Sequence, residues 1–393
     1  MYKILTLNNI AVAGLARFPR ESYEVASEMQ HPDAVLVRSF DMHRWDCPDT
    51  VKAIGRAGAG VNNIPVASFT QRGIPVFNTP GANANAVKEL VLSGLFIAAR
   101  NLLSAAAFTQ QLTGTDQHIN EQVEQLKKQF VGFELAGRTL GVIGLGAIGV
   151  KVANAAEALG MNVIGYDPHI TVSNAWKLSA NVKNVSSVEE VLRKSEFVSL
   201  HVPLVDGTRQ LLNADRLEHA KTGLVLLNFS RQAIVDETAV CAALNKGKLS
   251  HYICDFPSNQ LQQQKGVITF PHLGASTREA EENCAVMVAD QIRQFLEQGL
   301  ISYSVNFPDM DMPINESCAC RLFVANANVP HMIERISSTV ARDNVNIVDM
   351  LNRSRGDVAC TLLDLATPLS EATLAVLKNT EGVLSARVLT PNY

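Results

Sequence analysis

The sequence predicts an α/β protein of two doubly wound parallel-sheet units followed by a small C-terminal βαββαβ unit. Three observations carry this. An apolar strand over residues 139–143 runs straight into a glycine turn, Gly144-x-Gly146-x-x-Gly149, and a helical stretch follows. Short apolar runs alternate with helical stretches on both sides of that turn. After a proline-bearing linker, Asn306-Phe307-Pro308 through Pro313, the last part of the chain changes to strand-rich patterning.

At 393 residues the chain exceeds one ordinary core, so two or three domains are expected. Apolar residues make up 47% and charged residues 18%, the balance of a soluble globular enzyme. A formal net charge of −4 gives no general attraction to nucleic acid or to an acidic membrane, and neither is expected as a partner. No run of eighteen uninterrupted apolar residues occurs, and the opening Met1-Tyr2-Lys3-Ile4-Leu5 already has strand character, so a cytoplasmic location is expected. The seven cysteines are scattered and mostly set in apolar runs, which favours free thiols over disulfides. Cys318-x-Cys320 has the wrong spacing for a zinc knuckle, so no metal is expected.

Taken in order, Ile4–Leu7, Ala34–Val37, Ala53–Ile54 and Val76–Phe77 fall where parallel strands would. At their ends stand Arg38-Ser39 and Gly55-Arg56-Ala57-Gly58-Ala59-Gly60-Val61, which present arginines beside backbone N–H groups. Such a combination suits a carboxylate or phosphate, although two surface arginines at loop starts would read alike. Asn78-Thr79-Pro80-Gly81 interrupts the pattern, Asn85–Arg100 is expected as a long helix, and residues 101–136 as helical and increasingly polar.

In the glycine turn each position has its own reason. Gly144 allows the tight bend, Gly146 lets the backbone approach a pyrophosphate, and Gly149 lets the helix opened by Ala147 and Ile148 pack on its strand. A second strand, Met161–Tyr166, ends at Asp167, where a carboxylate accepts ribose hydroxyls and repels a 2′-phosphate. The expected cofactor is therefore NAD. Further strands at Phe197–His201, Leu224–Asn228 and His251–Asp255 complete the sheet. Ligands of such sheets lie at the carboxyl ends of the strands, so His201-Val202-Pro203, Asn228-Phe229-Ser230-Arg231 and Asp255 are placed to line the cofactor site. Residues 271–277 then open another helix over 278–299. Past the linker come strands Arg321–Ala325, Ile347–Arg353, Ala359–Leu365 and Val383–Leu389 with helices His331–Arg342 and Ser370–Asn379. Helices on one face would leave the other face and an edge for a second copy.

These stretches together resemble the D-isomer-specific 2-hydroxyacid dehydrogenases, in their short form with a C-terminal ACT regulatory domain, over essentially the whole chain. The most specific marks are Val37-Arg38-Ser39, residues 55–61, Asn78–Asn83, the dinucleotide turn, Asn228–Asp236 and Pro271–Thr277. The resemblance implies a Rossmann-type NAD domain, 93–273, within a discontinuous flavodoxin-like substrate domain, 1–92 with 274–305, and an ACT domain over 314–393. It implies NAD-dependent oxidation of 3-phospho-D-glycerate to 3-phosphohydroxypyruvate at the start of serine synthesis, by a homodimer or homotetramer with an amino-acid effector at the ACT domain. It also implies Arg231 as the catalytic arginine and His272 as the catalytic histidine, with Arg38, Ser39, Arg56, Gly58 and Ala59 around the substrate and Gly274 near the cofactor. The chemistry asks for such groups: the hydroxyl proton must leave with the hydride, which suits a base of pKa about 6–7. An arginine pairs the substrate carboxylate and polarises the forming carbonyl.

Two departures stand out. The family couples its histidine to a glutamate five residues after the strand-end aspartate, where this chain has Gln260, and no other carboxylate lies between Asp255 and Glu279. Gln260 is expected to orient His272 by hydrogen bonding without adding charge. ACT domains that bind serine resemble His-x-Asn-x-Pro-Gly, and here Asn326–His331 keeps Asn328 but neither the leading histidine nor the closing glycine. Oxidation of another D-2-hydroxy acid, and a weakly catalytic NAD-sensing protein, remain alternative readings.

Overall fold

The structure is a computed structural model that describes residues 1–390. The chain divides into two compact units, Met1–Asn83 with Arg278–Tyr393, and Ala84–Thr277. The helix Ala84–Arg100 belongs wholly to the second unit, whereas the sequence reading divided it at residue 92. Its stripe of Val87, Val91, Leu95, Ala98 and Ala99 packs into one core with Leu140, Val142, Val225 and Leu227, so a boundary inside the helix would split that core.

The first unit carries five parallel strands, β1 (Tyr2–Leu7), β2 (Tyr23–Ala26), β3 (Ala34–Val37), β4 (Ala53–Arg56) and β5 (Val76–Phe77), in the order β2-β1-β3-β4-β5. That order reverses between β1 and β3, and a ligand of such a sheet sits at the strand ends there. The edge strand β2 escaped the sequence reading because its four residues mix buried Tyr23 with exposed Glu24. The return helix Arg278–Gln298 buries Cys284, Ala285, Val288, Ile292 and Phe295 against this sheet. A Cβ on Gly55 would lie 2.6 Å from Val288 and 3.0 Å from Ile292, so helix and strand approach closely only because Gly55 has no side chain.

The second unit carries β6 (Thr139–Ile143), β7 (Asn162–Tyr166), β8 (Lys183–Asn184), β9 (Phe197–Leu200), β10 (Leu224–Asn228), β11 (Leu249–Cys254) and β12 (Val267–Thr269). All pair in parallel, in the order β12-β11-β10-β9-β6-β7-β8, with the switch point between β6 and β9. β9 and β10 are buried at every residue, as strands covered on both faces must be. β8 and β12, at two and three residues, are too short to show a period in sequence.

The C-terminal part forms an antiparallel sheet of β13 (Cys320–Ala327), β14 (Ile347–Arg355), β15 (Val358–Leu365) and β16 (Val383–Leu389), ordered β14-β15-β13-β16, with helices Met332–Ala341 and Glu371–Lys378. One face packs Leu322, Val324, Leu363 and Leu365 on Ile336, Val340 and Leu377 of those helices. The other face was expected to stay open, and instead Phe323, Ala325, Cys360 and Leu362 pack on Phe295, Leu296, Phe307 and Met310 of the same unit. The sequence signal for this was the near-unbroken apolar run of β13 and β15, which a half-exposed sheet would have alternated with polar residues.

Three arginines fasten this packing. Buried Arg321 forks onto buried Asp364, with Nε to Oδ1 at 2.6 Å and Nη2 to Oδ2 at 2.9 Å, and donates to the carbonyls of Gln298, Met312 and Pro313. Burial alone would raise the Asp364 carboxyl, but the guanidinium and the Asn315 N–H overcome it and hold it below the ordinary carboxylate value. Arg355 donates to the Ser304 carbonyl at 2.7 Å, and Arg387 to those of Phe295 and Leu296. All seven cysteines are free thiols, and among the described residues no single helix is long and apolar enough to cross a membrane.

Candidate active site

In the second unit the site begins at the glycine turn. Gly144 has φ 93°, and a Cβ there would lie 2.6 Å from the His201 carbonyl oxygen, so two neighbouring strand ends meet only across a glycine. A Cβ on Gly149 would sit 1.9 Å from the Gly144 carbonyl oxygen. Gly146 differs: a Cβ on it would meet nothing within 4 Å. It is the N-cap of helix Ala147–Ala158, and no side chain caps that end, so the open space at Gly146 adjoins a helix N-terminus without a side-chain cap. That combination fits a pyrophosphate. Asp167, at the end of β7, accepts from Leu145 N–H and His169 N–H, each at 2.8 Å. The carboxylate is thereby fixed beside the turn with lone pairs left for ribose hydroxyls.

The strand ends that follow carry the remaining candidates. His201 pairs its Nε2 with the buried Ser199 hydroxyl at 2.8 Å, its Nδ1 is buried with no partner among the described residues, and burial pushes its pKa down to about 3. It is a neutral imidazole, and Val202 and the exposed Pro203 follow it. After β10, the buried Asn228 amide braces the next turn: its Nδ2 donates to the Arg231 carbonyl at 3.0 Å, and its Oδ1 accepts from Ser230 N–H at 3.2 Å. Phe229 is buried and stacks on Phe270, the Ser230 hydroxyl donates to the Leu200 carbonyl at 2.6 Å, and Arg231 is exposed. Asn228, expected to line the cofactor site, acts here as a positioning residue, and its signal is a polar residue ending an otherwise apolar strand.

Asp255 was expected to meet the cofactor. The structure buries it and gives Oδ1 to Leu273 N–H and Oδ2 to Gly274 N–H, both at 2.7 Å. A Cβ on Gly274 would crowd that carboxylate at 3.2 Å. The aspartate therefore anchors the turn that carries His272, rather than offering a free oxygen. His272 itself has a left-handed backbone, φ 56°, with its ring exposed and edge-on to Phe256 at 5.5 Å. A non-glycine residue held there is strained, and such strain concentrates at functional positions. Gln260 does not reach it: the amide donates to the Thr238 hydroxyl at 2.9 Å, and among the described residues no hydrogen bond joins Gln260 to His272 and no carboxylate pairs with that ring. Helix Glu237–Asn245 presents Thr238 to the loop, and that local partner wins.

In the first unit, Arg38 and Arg56 stand at the ends of β3 and β4, and Arg56 Nε donates to the Arg38 carbonyl at 3.2 Å. Gly58 makes the corner possible, since a Cβ there would lie 1.8 Å from Arg56 Nη1. The Ala59 carbonyl accepts from Asn78 Nδ2 at 2.6 Å, the Gly58 carbonyl from Thr79 N–H at 3.1 Å, and Ser39 is exposed beside them. The return helix backs this corner: Glu281 pairs with Arg38, and Gln291 donates to the Asn78 carbonyl at 3.0 Å. Glu281 was missed because only the fold brings residue 281 to residue 38. In the small sheet Asn328 donates to the Gly356 carbonyl at 2.9 Å.

Residues 102–274 match the model of the D-isomer specific 2-hydroxyacid dehydrogenase NAD-binding domain. The chain is 36% identical over 296 residues to a D-3-phosphoglycerate dehydrogenase of Methanocaldococcus jannaschii, a match covering 73% of this chain but 54% of that protein, so it spans about half of that relative. It is 33% identical to the enzyme of that name from Haemophilus influenzae, over 86% of this chain and 81% of the relative. The structure is similar to the NAD-bound 3-phosphoglycerate dehydrogenase of Entamoeba histolytica, with TM-score 0.58 and 26% identity over 78% of this chain and 98% of that one.

Proposed function

Because this chain belongs to the D-isomer-specific 2-hydroxyacid dehydrogenase family, we propose that it oxidises 3-phospho-D-glycerate to 3-phosphohydroxypyruvate with NAD, at the start of serine synthesis. The observation that carries the choice of substrate is the arginine corner. Two guanidiniums at adjacent strand ends, beside the sheet's switch point, suit the phosphate end of such a substrate.

NAD, when bound, supplies the hydride acceptor. Around it, Gly146 and the first-turn N–H groups would take the pyrophosphate, and Asp167 the adenosine ribose. His272 removes the hydroxyl proton through its exposed ring, held in place by the Asp255 anchor. Arg231 pairs the substrate carboxylate and polarises the carbonyl oxygen as it forms. Arg38, Ser39 and Arg56 hold the phosphate end, and Arg38 exchanges Glu281 for the substrate. We further propose the cytoplasm as its location, supported by seven free thiols, and a homo-oligomer built through the exposed edge strand β14. An amino-acid effector would sit at the small C-terminal sheet, read as an ACT domain.

Steady-state formation of NADH with 3-phosphoglycerate as the only hydroxy acid tests the proposal. Turnover saturating in the micromolar-to-millimolar range supports it. A higher kcat/KM for an unphosphorylated D-2-hydroxy acid would reassign the substrate.

A further inference from the structure

Within the first unit, a cavity of about 470 Å³ opens where the small sheet packs on the five-stranded sheet. That is within the usual range for small-molecule sites, about 300–1,000 Å³. Its charged lining is unbalanced: Lys52, Arg72, Lys378 and Arg387 face a single carboxylate, Asp49. Arg72 is bound to Asp49 at 3.2 Å and Lys52 to Asp33 at 2.6 Å, and among the described residues Lys378 and Arg387 form no ion pair.

Arg387 is the unusual member. Its guanidinium lies over the rings of Phe295 at 4.0 Å and Phe323 at 5.3 Å, its terminal nitrogens donate to two carbonyls, and its Nε is buried with no partner among the described residues. Desolvation pulls its pKa down to about 10, against the opposing pull of Tyr2 and Asp33. Arg321, equally central to the seam, has its own aspartate.

We propose that this seam binds a small phosphate monoester, its dianion neutralising Arg387 and Lys378. A dianion matches the surplus of cations, arginine suits phosphate by its forked donors, and Ile74, Leu384 and Ala386 stand in the same lining. The site is separate from the arginine corner, and it touches both the small sheet (Leu384, Ser385) and the five-stranded sheet's loops before β4 (Asp49, Val51, Lys52) and before β5 (Arg72, Gly73, Ile74), so its ligand bridges the two layers.

The test uses the full chain with excess NAD, so that the glycine turn is occupied, and Arg56→Ala, so that the corner at Arg38 and Arg56 is disabled. Inorganic phosphate is titrated calorimetrically at constant ionic strength. One saturable site should remain, and adding Lys378→Glu, an exposed substitution, should raise its Kd at least tenfold with Tm in chloride unchanged. No phosphate binding in the Arg56→Ala chain, or the same Kd with Lys378→Glu, would overturn the proposal. Tighter binding of succinate than of phosphate would overturn the phosphate assignment. Because the readout is binding rather than turnover, failure here is distinct from failure of the dehydrogenase reading.

Discussion

The glycine turn and the arginine corner both present donors to an anion at the end of a parallel strand, but they are made of different material. The turn is backbone: its shape depends on what three positions lack, and a Cβ at two of them would strike main-chain oxygen. The corner is side chain: Arg38 and Arg56 are held by a carbonyl, a carboxylate on a distant helix and a glycine that leaves room. Backbone sites fail abruptly and side-chain sites by degrees, because only the latter have flexible ends that can give.

The strongest way to break this contrast is Gly149→Ala set beside Gly146→Ala. The first forces Cβ into the Gly144 carbonyl oxygen and should cost about 3 kcal/mol or unfold the second unit. The second meets only open space and should leave the urea midpoint unchanged while NAD affinity falls. Equal stability loss in both variants would show that the turn is not shaped for a ligand.

Arg38→Ala should raise KM for phosphoglycerate about tenfold, or about 1.4 kcal/mol, with the NAD affinity intact. Glu281→Gln should change KM less and stability by about 0.5 kcal/mol at most, since both partners of that pair are 40% exposed. A loss of NAD affinity in Arg38→Ala would mean that the corner is structural.

His201 sharpens the contrast from inside the second unit, because it is a side chain at the turn's edge. Its folded pKa lies far below the ordinary 6.5, so between pH 6.5 and about 3 the unfolded chain binds a proton that the folded chain refuses. Stability should therefore be full above pH 6.5 and fall as the solution is acidified through that window. His201→Gln should flatten that part of the profile of urea midpoint against pH, and an unchanged slope would place the titration elsewhere. Smallest of all, Gln260→Glu should leave both the pH profile of oxidation and the stability nearly unmoved, because residue 260 faces Thr238. A shift in the profile would show that the loop swings toward His272 during turnover.

What the sequence made legible follows the same division. Gly144, Gly146, Gly149 and Asp167 were readable because a backbone turn leaves its glycines in a fixed local order. Asp255 was seen, but its task was not: a strand-end aspartate looks the same whether it meets a ribose or, as here, two amides eighteen and nineteen residues on. Glu281 and the Gln260–Thr238 bond depend on tertiary neighbours and left no local trace. The open face assigned to the small sheet was an error of the same kind, since what covers it, Phe295, Phe307 and Met310, precedes it in the chain and carries no pairing signal.

The discontinuity of the first unit bears on how the protein is born. Ile4, Leu36 and Ala53 of its N-terminal segment share one core with Ala285, Val288 and Phe295. Those partners follow only after Ala84–Thr277 has been made. At about 5–20 residues per second the first segment waits on the order of ten seconds or longer with apolar surface uncovered. The second unit is contiguous and needs no such wait, so it completes its fold while the segment translated before it is still unfinished. The earliest part of this chain to be synthesised is among the last to become native, and its dependence on chaperones should be concentrated there.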